Sequence, residues 1–437
     1  MSVLRTLLWG PPVLLLILFT GMWFTLRGRA MQLWRIPALW PGALQSRGAD
    51  GEKISAFQAL SASLAGSLGT GNIVGVAAAL AAGGPGAVVW MWIAAFFGMM
   101  TVYAESVLAA KFSTDRTPGA IGYVQKALGS PIAKVYAAGC VLSALGMGTM
   151  AQTGAISAAL STVRVPAWGA GLLTAGLLIL CVRGGLQKAV RVTEKLVPGM
   201  AALFLLACTA VLFLRAKYIP AAFAEMFRAA FSLRAAVGGG AGMWLAMQVG
   251  ISRGVFTNEA GLGSGTFALY RTAGKTPAQI GALGALQVCI DTLFLCTVTA
   301  LCLLVSPGTG DGAAQVLSSF SAVLGPLGRG AVSISAALFA FAAVVAWSCY
   351  GMDALRFLVP FAGDAGRRIF VLSAAVSCFL GCILPFSGIL SCCDLFNGVM
   401  AIPNILALMR LSGAVFEKNS GNTESFSGKF KQNAKKV

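Results

Sequence analysis

Ala62-Ser63-Leu64-Ala65-Gly66-Ser67-Leu68-Gly69-Thr70-Gly71-Asn72-Ile73-Val74-Gly75 lies in the middle of an apolar run. The run, about residues 57–82, is long enough to cross a bilayer core of about 30 Å as a helix. Three glycines and an asparagine between 69 and 75 oppose a continuous helix, each glycine costing about 1 kcal/mol relative to alanine. Unwound backbone is tolerated in a membrane where it is buried in protein or faces a water-filled cavity. The stretch therefore predicts a broken membrane helix that offers amides and carbonyls within the bilayer. Amides at the start of the second half-helix suit a carboxylate; freed carbonyls and the Asn72 side-chain oxygen suit a small hard cation. The alternative is close helix packing through Gly71-x-x-x-Gly75. Packing alone does not call for Thr70 and Asn72 between the glycines.

The rest of the chain agrees with a membrane setting. Its 437 residues are 57% hydrophobic and 11% charged, against roughly 25% charged in a soluble domain. Apolar runs without strict alternation exclude an outer-membrane barrel. About eleven spans are predicted, near 7–26, 57–82, 85–110, 131–161, 168–187, 193–214, 236–266, 277–305, 329–350, 368–385 and 389–411. Arg5 precedes the first span as in a signal peptide, but its following flank is the more basic and lacks a clear small-residue cleavage motif, so it reads as a retained helix.

The net charge of +18 is spread over loops rather than gathered in a patch, which points to lipid head groups and topology and away from nucleic acid. With the first span running inward, 23 of the 32 basic residues fall on one side, including Arg27, Arg35, Lys111, Lys188, Arg271, Arg367 and Lys436. The positive-inside rule then puts the N-terminus outside and the C-terminus in the cytoplasm. The eleven cysteines sit along apolar segments and read as buried free thiols. The chain has no histidine, and with no P-loop or nucleophile elbow it reads as a carrier, not an enzyme, without an organic cofactor.

Setting the first span and its loop aside (1–56) leaves a core over 57–411 and a polar tail over 412–437. Ten spans divide into five (about 57–214) and five (about 236–411), and an odd number per half makes an inverted repeat possible. The first span of each half is the most interrupted. In the second half this is Gly250-Ile251-Ser252-Arg253-Gly254-Val255-Phe256-Thr257-Asn258-Glu259-Ala260-Gly261-Leu262-Gly263-Ser264-Gly265. Arg253 and Glu259 lie where a lipid-facing helix would carry no charge, and Asp291 falls near the middle of the eighth span. Arg253 is the first candidate partner for Asp291; the three form either an ion-pair network that sets register or gates the carrier, or part of a binding site. Gln152 is the only amide in the fourth span and should face the bundle. Trp347 is read either as an interfacial aromatic or as a pocket residue. Glu105, Asp353 and Asp394 lie nearer span ends and read as topological.

Gly69–Val76, Gly83-Gly84-Pro85-Gly86 with Trp90-Met91-Trp92, Arg253–Gly261, Ile290-Asp291-Thr292, Trp347–Gly351 and Phe396–Asn404 together resemble the alanine/glycine:cation symporters, also called sodium:alanine symporters. The resemblance runs in order over about 57–412. It implies an all-α integral membrane protein of about 11 transmembrane helices with a LeuT-type five-plus-five inverted repeat after one extra helix. It also implies import of alanine or glycine with sodium across a bacterial inner membrane. By the same likeness, the backbone at Thr70 and Gly71 holds the substrate carboxylate, Gln152 and Trp347 line the pocket, and Gly250, Ile251 and Ser252 form the break opposite. Leu68 resembles a carbonyl donor to the common sodium site, and Asn72 a side-chain ligand of a second. Family members usually carry two hydroxyl residues after Phe339-Ala340-Phe341; this chain has Ala342-Ala343, and methyl groups do not replace hydration around a hard cation. That departure keeps proton coupling, exchange, or a non-coupled sensing or channel-like role open as alternatives. Nothing in the sequence speaks to oligomeric state.

Overall fold

The computed structural model describes residues 10–45, 54–161, 164–183, 186–231, 242–310, 312–384 and 386–417. The expected tail from 418 onward and the start of the seventh span at 236–241 lie outside them. The helices, in order, are α1 (Pro11–Arg27), α2 (Arg35–Leu44), α3 (Ala56–Ser67), α4 (Val74–Gly83), α5 (Gly86–Phe112), α6 (Ala120–Leu128), α7 (Ser130–Leu145), α8 (Ala151–Ser161), α9 (Ala167–Val182) and α10 (Leu186–Leu214). They continue with α11 (Ile219–Phe231), α12 (Gly242–Asn258), α13 (Thr266–Leu269), α14 (Pro277–Val288), α15 (Thr297–Val305), α16 (Ala313–Leu358), α17 (Gly363–Ile383), α18 (Phe386–Arg410) and α19 (Ser412–Phe416). Among the described residues, seven helical stretches are long and apolar enough to cross a membrane, and α1, α4 and α9 are shorter apolar helices.

The outward faces are apolar. On α17, Ile369, Leu372, Val376, Leu380 and Ile383 are exposed in one ridge, and on α9 Leu172, Leu173, Leu177 and Leu180 do the same. The three- and four-residue spacing puts each set on one helix face. Contiguous apolar surface of this kind fits lipid and not water.

The predicted break is present. Helix α3 starts from a capping box, Ser55 with Gln58, and stops at Ser67. Gly69 is extended, Thr70–Asn72 make one tight turn, and α4 restarts at Val74. The second interruption falls in the later part of the glycine-rich stretch 250–265, past the Gly250–Ser252 position that the family resemblance implies. Gly250, Ile251 and Ser252 sit inside an unbroken α12. The chain leaves helix at Glu259, and Glu259, Gly261 and Gly263 all have positive φ (57°, 87° and 73°), a region glycine enters without strain. Gly250 serves packing instead: a Cβ there would stand 2.3 Å from the Ala87 carbonyl oxygen, and one on Gly254 3.0 Å from the Ala94 Cβ. Small residues four apart bring α12 against α5, as in other membrane helix pairs. Gly250→Val is therefore expected to destabilise the protein by about 1–3 kcal/mol through overpacking, seen as a lower unfolding temperature in detergent, whereas Gly330→Ala, with nothing near its Cβ position, leaves it unchanged.

Two short pairings fasten the far ends of the interrupted helices together. Ile54, just before α3, donates its amide to Arg271 O at 3.1 Å and accepts from the Ala273 amide at 2.9 Å. Arg271 in turn pairs with Asp353 on α16 at 2.8 Å. Asp353 thus closes a partly buried ion pair and is more than a topological charge.

Candidate functional site

The turn at Thr70–Asn72 faces two walls. Toward α8, the Thr70 amide donates to Gln152 Oε1 at 3.0 Å. Helix α7 widens into a π-helical stretch over Gly146–Met150 immediately before Gln152. Wide turns of this kind are frequent at functional sites, and this one swings Gln152 across to the break. Its hydrogen bond and its burial satisfy the expectation that the amide faces the bundle.

Toward α14, the Asn72 Nδ2 donates to Asp291 Oδ1 at 2.7 Å and to Asp291 O at 3.2 Å. Asp291 belongs to a second π-helical stretch, Cys289–Cys296, between α14 and α15. Its other oxygen, Oδ2, accepts from Thr292 Oγ1 at 2.7 Å. Thr292 Oγ1 lies 3.2 Å from Thr257 Oγ1 on α12, and a Cβ on Gly71 would meet Thr257 Cγ2 at 3.0 Å. Asp291 and Asn72 are both 0% exposed, and the Asn72 Oδ1 has no hydrogen-bond partner among the described residues.

The expected partnership of Arg253 with Asp291 or Glu259 does not form. Asp291 is held by Asn72 and Thr292, and Glu259 by Ser264 and the Trp347 Nε1, the latter at 3.0 Å. Arg253, partly exposed, faces the charge of Asp394. The reason is helical phase: Arg253 and Glu259 are separated by the end of α12, where the positive-φ turn re-aims Glu259 into the bundle. Both carboxylates are therefore deeply buried on neutral donors, an arrangement that costs several kcal/mol while they are ionised unless a cation approaches.

Trp347 is 0% exposed, which removes the interfacial reading. It lies on α16, edge-on to Tyr350 with centroids 5.7 Å apart, and Tyr350 donates to Ala62 O at 2.9 Å. Ala342 and Ala343 are also fully buried on α16 and bring only methyl groups. Leu68 caps α3, its amide bonded to Leu64 O.

Several members of the site were not singled out from sequence. Glu105, read as a span-end residue, is buried and accepts from the Gly261 amide at 3.0 Å and from Asn404 Nδ2 at 2.7 Å. Tyr123 donates to the same Asn404, and Tyr136 donates to Leu262 O at 2.7 Å. Ser63 and Gln287 are joined beneath Gly265, where a Cβ would come within 2.8 Å of either side-chain oxygen. The signal available was polarity in apolar runs: Glu105 is the one acidic residue of α5, and Gln287 is the amide of α14 that no capping box explains, Gln279 serving that role at the helix start.

Comparison with known proteins agrees with this architecture. The chain shares the fold of a manganese transporter from Eremococcus coleocola, with a TM-score of 0.51 at 16% identity over 87% of this chain and 85% of that one. It is 35% identical to the sodium/alanine symporter AgcS of Methanococcus maripaludis over 97% of this chain and 96% of that protein. It is 32% identical to the "Probable sodium/glutamine symporter GlnT" of Bacillus subtilis over 95% and 88% respectively. The model of the sodium:alanine symporter family matches residues 1–436. Two interrupted helices, buried carboxylates on neutral donors and a match running the length of the chain lead to one conclusion: this multi-pass membrane protein belongs to the sodium:alanine symporter family.

Proposed function

We propose that the protein imports a small neutral amino acid, alanine or glycine, by symport with sodium across a bacterial inner membrane, with its N-terminus outside and its C-terminus in the cytoplasm. One observation carries the reading: a single tight turn presents the Thr70 amide on one side and the Asn72–Asp291 pair on the other. An amino acid's carboxylate on Thr70 and Gly71 gains from inward-pointing amides and from the start of α4. In this reading Gln152 and Trp347 line the pocket, and the substrate's side chain is no larger than a methyl group. Helix α12 at Gly250, Ile251 and Ser252 is a wall packed on α5; the opposing interrupted element is Glu259–Gly265.

The same turn provides for the cation. Rotating the Asn72 amide by half a turn would exchange Nδ2 for the unpartnered Oδ1 and turn an oxygen toward Asp291. Asn72 Oδ1, the Asp291 carboxylate, Thr292 and Thr257 then make an all-oxygen donor set of the kind hard cations take. Asp291 is in this reading the cation's anionic ligand. The set of Leu68, Ala342 and Ala343 has only the Leu68 carbonyl, so the cation belongs at Asn72. The arrangement fits a five-plus-five repeat preceded by α1, about eleven spans in all, with alternating access at the two interrupted helices.

A second reading is favoured by the three buried carboxylates, Glu105, Glu259 and Asp291, which a proton would neutralise as a cation would. Uptake of labelled alanine, glycine and glutamine into reconstituted vesicles, with sodium, lithium or potassium outside, separates the two. Accumulation only with sodium, and only of the small substrates, is expected. Uptake that ignores sodium and follows an inward proton gradient would replace the first reading with the second.

A further inference from the structure

The amide expected to receive the substrate carboxylate is already engaged. Thr70 N donates to Gln152 Oε1 at 3.0 Å, and both residues are buried. The fit is close, because a Cβ on Gly69 would lie 2.8 Å from Oε1 and 3.0 Å from Nε2. Glycine at 69 thus admits the carboxamide to the break. The other end of the same group is loosely held: Nε2 donates to Met147 O at 3.4 Å, a long hydrogen bond.

We propose that Gln152 is a built-in stand-in for the substrate, its carboxamide oxygen satisfying the Thr70 amide whenever no carboxylate is bound. This rests on the reading of Thr70 as the carboxylate site. A carboxamide oxygen and a carboxylate oxygen are both planar acceptors, but the charged one makes the stronger bond to an N–H. A bound amino acid therefore displaces Oε1, and the weakly held Nε2 end lets the side chain turn aside. When the substrate leaves, Oε1 returns, so the break never carries an orphaned buried donor.

The consequence concerns one leg of the transport cycle. Net uptake requires the carrier to reorient without substrate, whereas exchange of internal for external substrate does not. Gln152 keeps the unloaded break dry and closed, and so permits the return.

The test uses the full-length transporter in vesicles. Gln152→Leu, which keeps the volume and loses the oxygen, should lower net sodium-driven uptake about tenfold more than it lowers exchange of labelled alanine, the cost of one unsatisfied buried donor falling on the unloaded carrier alone. Gln152→Glu, which places a charged oxygen on Thr70, should raise half-saturating alanine about tenfold. Exchange and net uptake falling in parallel in Gln152→Leu would reduce Gln152 to a wall residue and overturn the proposal. Hydrogen exchange across residues 64–76 without substrate supplies a readout independent of transport: at least about tenfold faster exchange in Gln152→Leu supports the contact, and equal exchange overturns it. If the unsubstituted protein moves no alanine yet shows this difference, the substrate reading fails and the Thr70–Gln152 contact stands. Should Gln152→Leu not fold, Gln152→Asn, one methylene too short to reach Thr70, takes its place in each measurement.

Discussion

Asp291→Ala is expected to abolish sodium-driven accumulation of alanine, lowering the initial rate by about 100-fold or more. Truncating one member of a buried hydrogen-bonded charge pair costs about 2–5 kcal/mol, and about 2.7 kcal/mol is a factor of 100. Here the loss falls on the cation, because Asp291 is the one carboxylate bonded to Asn72 in the break. The fold should survive. Removal takes away a desolvated carboxylate while orphaning the Asn72 amide, two effects of opposite sign. Asp291→Asn keeps an acceptor for Asn72 and isolates the charge. It should require a much higher sodium concentration for half-maximal uptake and retain downhill exchange of alanine. Both variants would be followed by uptake at varied sodium, with size-exclusion and thermal unfolding as checks on the fold. If Asp291→Ala kept a normal sodium dependence, the cation would have to bind elsewhere, and the Asn72 donor set would lose its role.

The second large effect is steric. A Cβ on Gly148 would stand 2.2 Å from Trp347 Cβ and 2.4 Å from Trp347 Cγ, well inside contact distance. Gly148→Ala should therefore force the π-helical stretch away from α16, at about 1–3 kcal/mol for overpacking, and reduce uptake by at least about tenfold because a small misplacement of binding groups is that costly. Trp347→Phe added to Gly148→Ala should not restore uptake, since phenylalanine shares the two clashing atoms. The neighbouring Gly146 offers a control: its Cβ position has contacts of 3.3 Å or more, to Phe396 and Cys393, so Gly146→Ala should stay within about twofold of normal. Equal effects at 146 and 148 would mean that general helix rigidity, and not the Trp347 contact, governs the site.

How much was legible in advance varied with the kind of signal. The break at Gly69–Asn72 was readable because helix penalties are local: glycine and asparagine oppose helix wherever the chain runs. In the second interrupted span the local reading marks the whole stretch 250–265, and the resemblance put the break at its start, because five glycines there do two different jobs. Gly250 and Gly254 make room for α5 and Gly265 for Ser63 and Gln287, whereas Gly261 and Gly263 supply positive φ. Composition alone does not distinguish a glycine needed by a neighbour from one needed by its own backbone. Short helices such as α2 and α6, which do not cross the membrane, were also absent from the reading in apolar runs.

Charge pairing was the least legible. Opposite signs at Arg253, Glu259 and Asp291 suggested a network, and the bundle paired none of them with each other. Glu259 turned inward to Trp347 and Ser264, and Asp291 met Asn72 across 219 residues of chain.

The sequence by itself determined that this is a helical membrane protein with a break at residues 69–72, because transfer of apolar side chains into lipid and the conformational preferences of glycine act residue by residue; its likeness to a symporter family rests on motifs such as Arg253–Gly261 and Phe396–Asn404. Tertiary structure alone decided that Gln152 closes on Thr70, that Asn72, Asp291, Thr292 and Thr257 join in one hydrogen-bonded chain, and that Arg253 stands apart from it. Those contacts join segments far apart in the chain, and which buried polar group satisfies which is settled only when the helices pack.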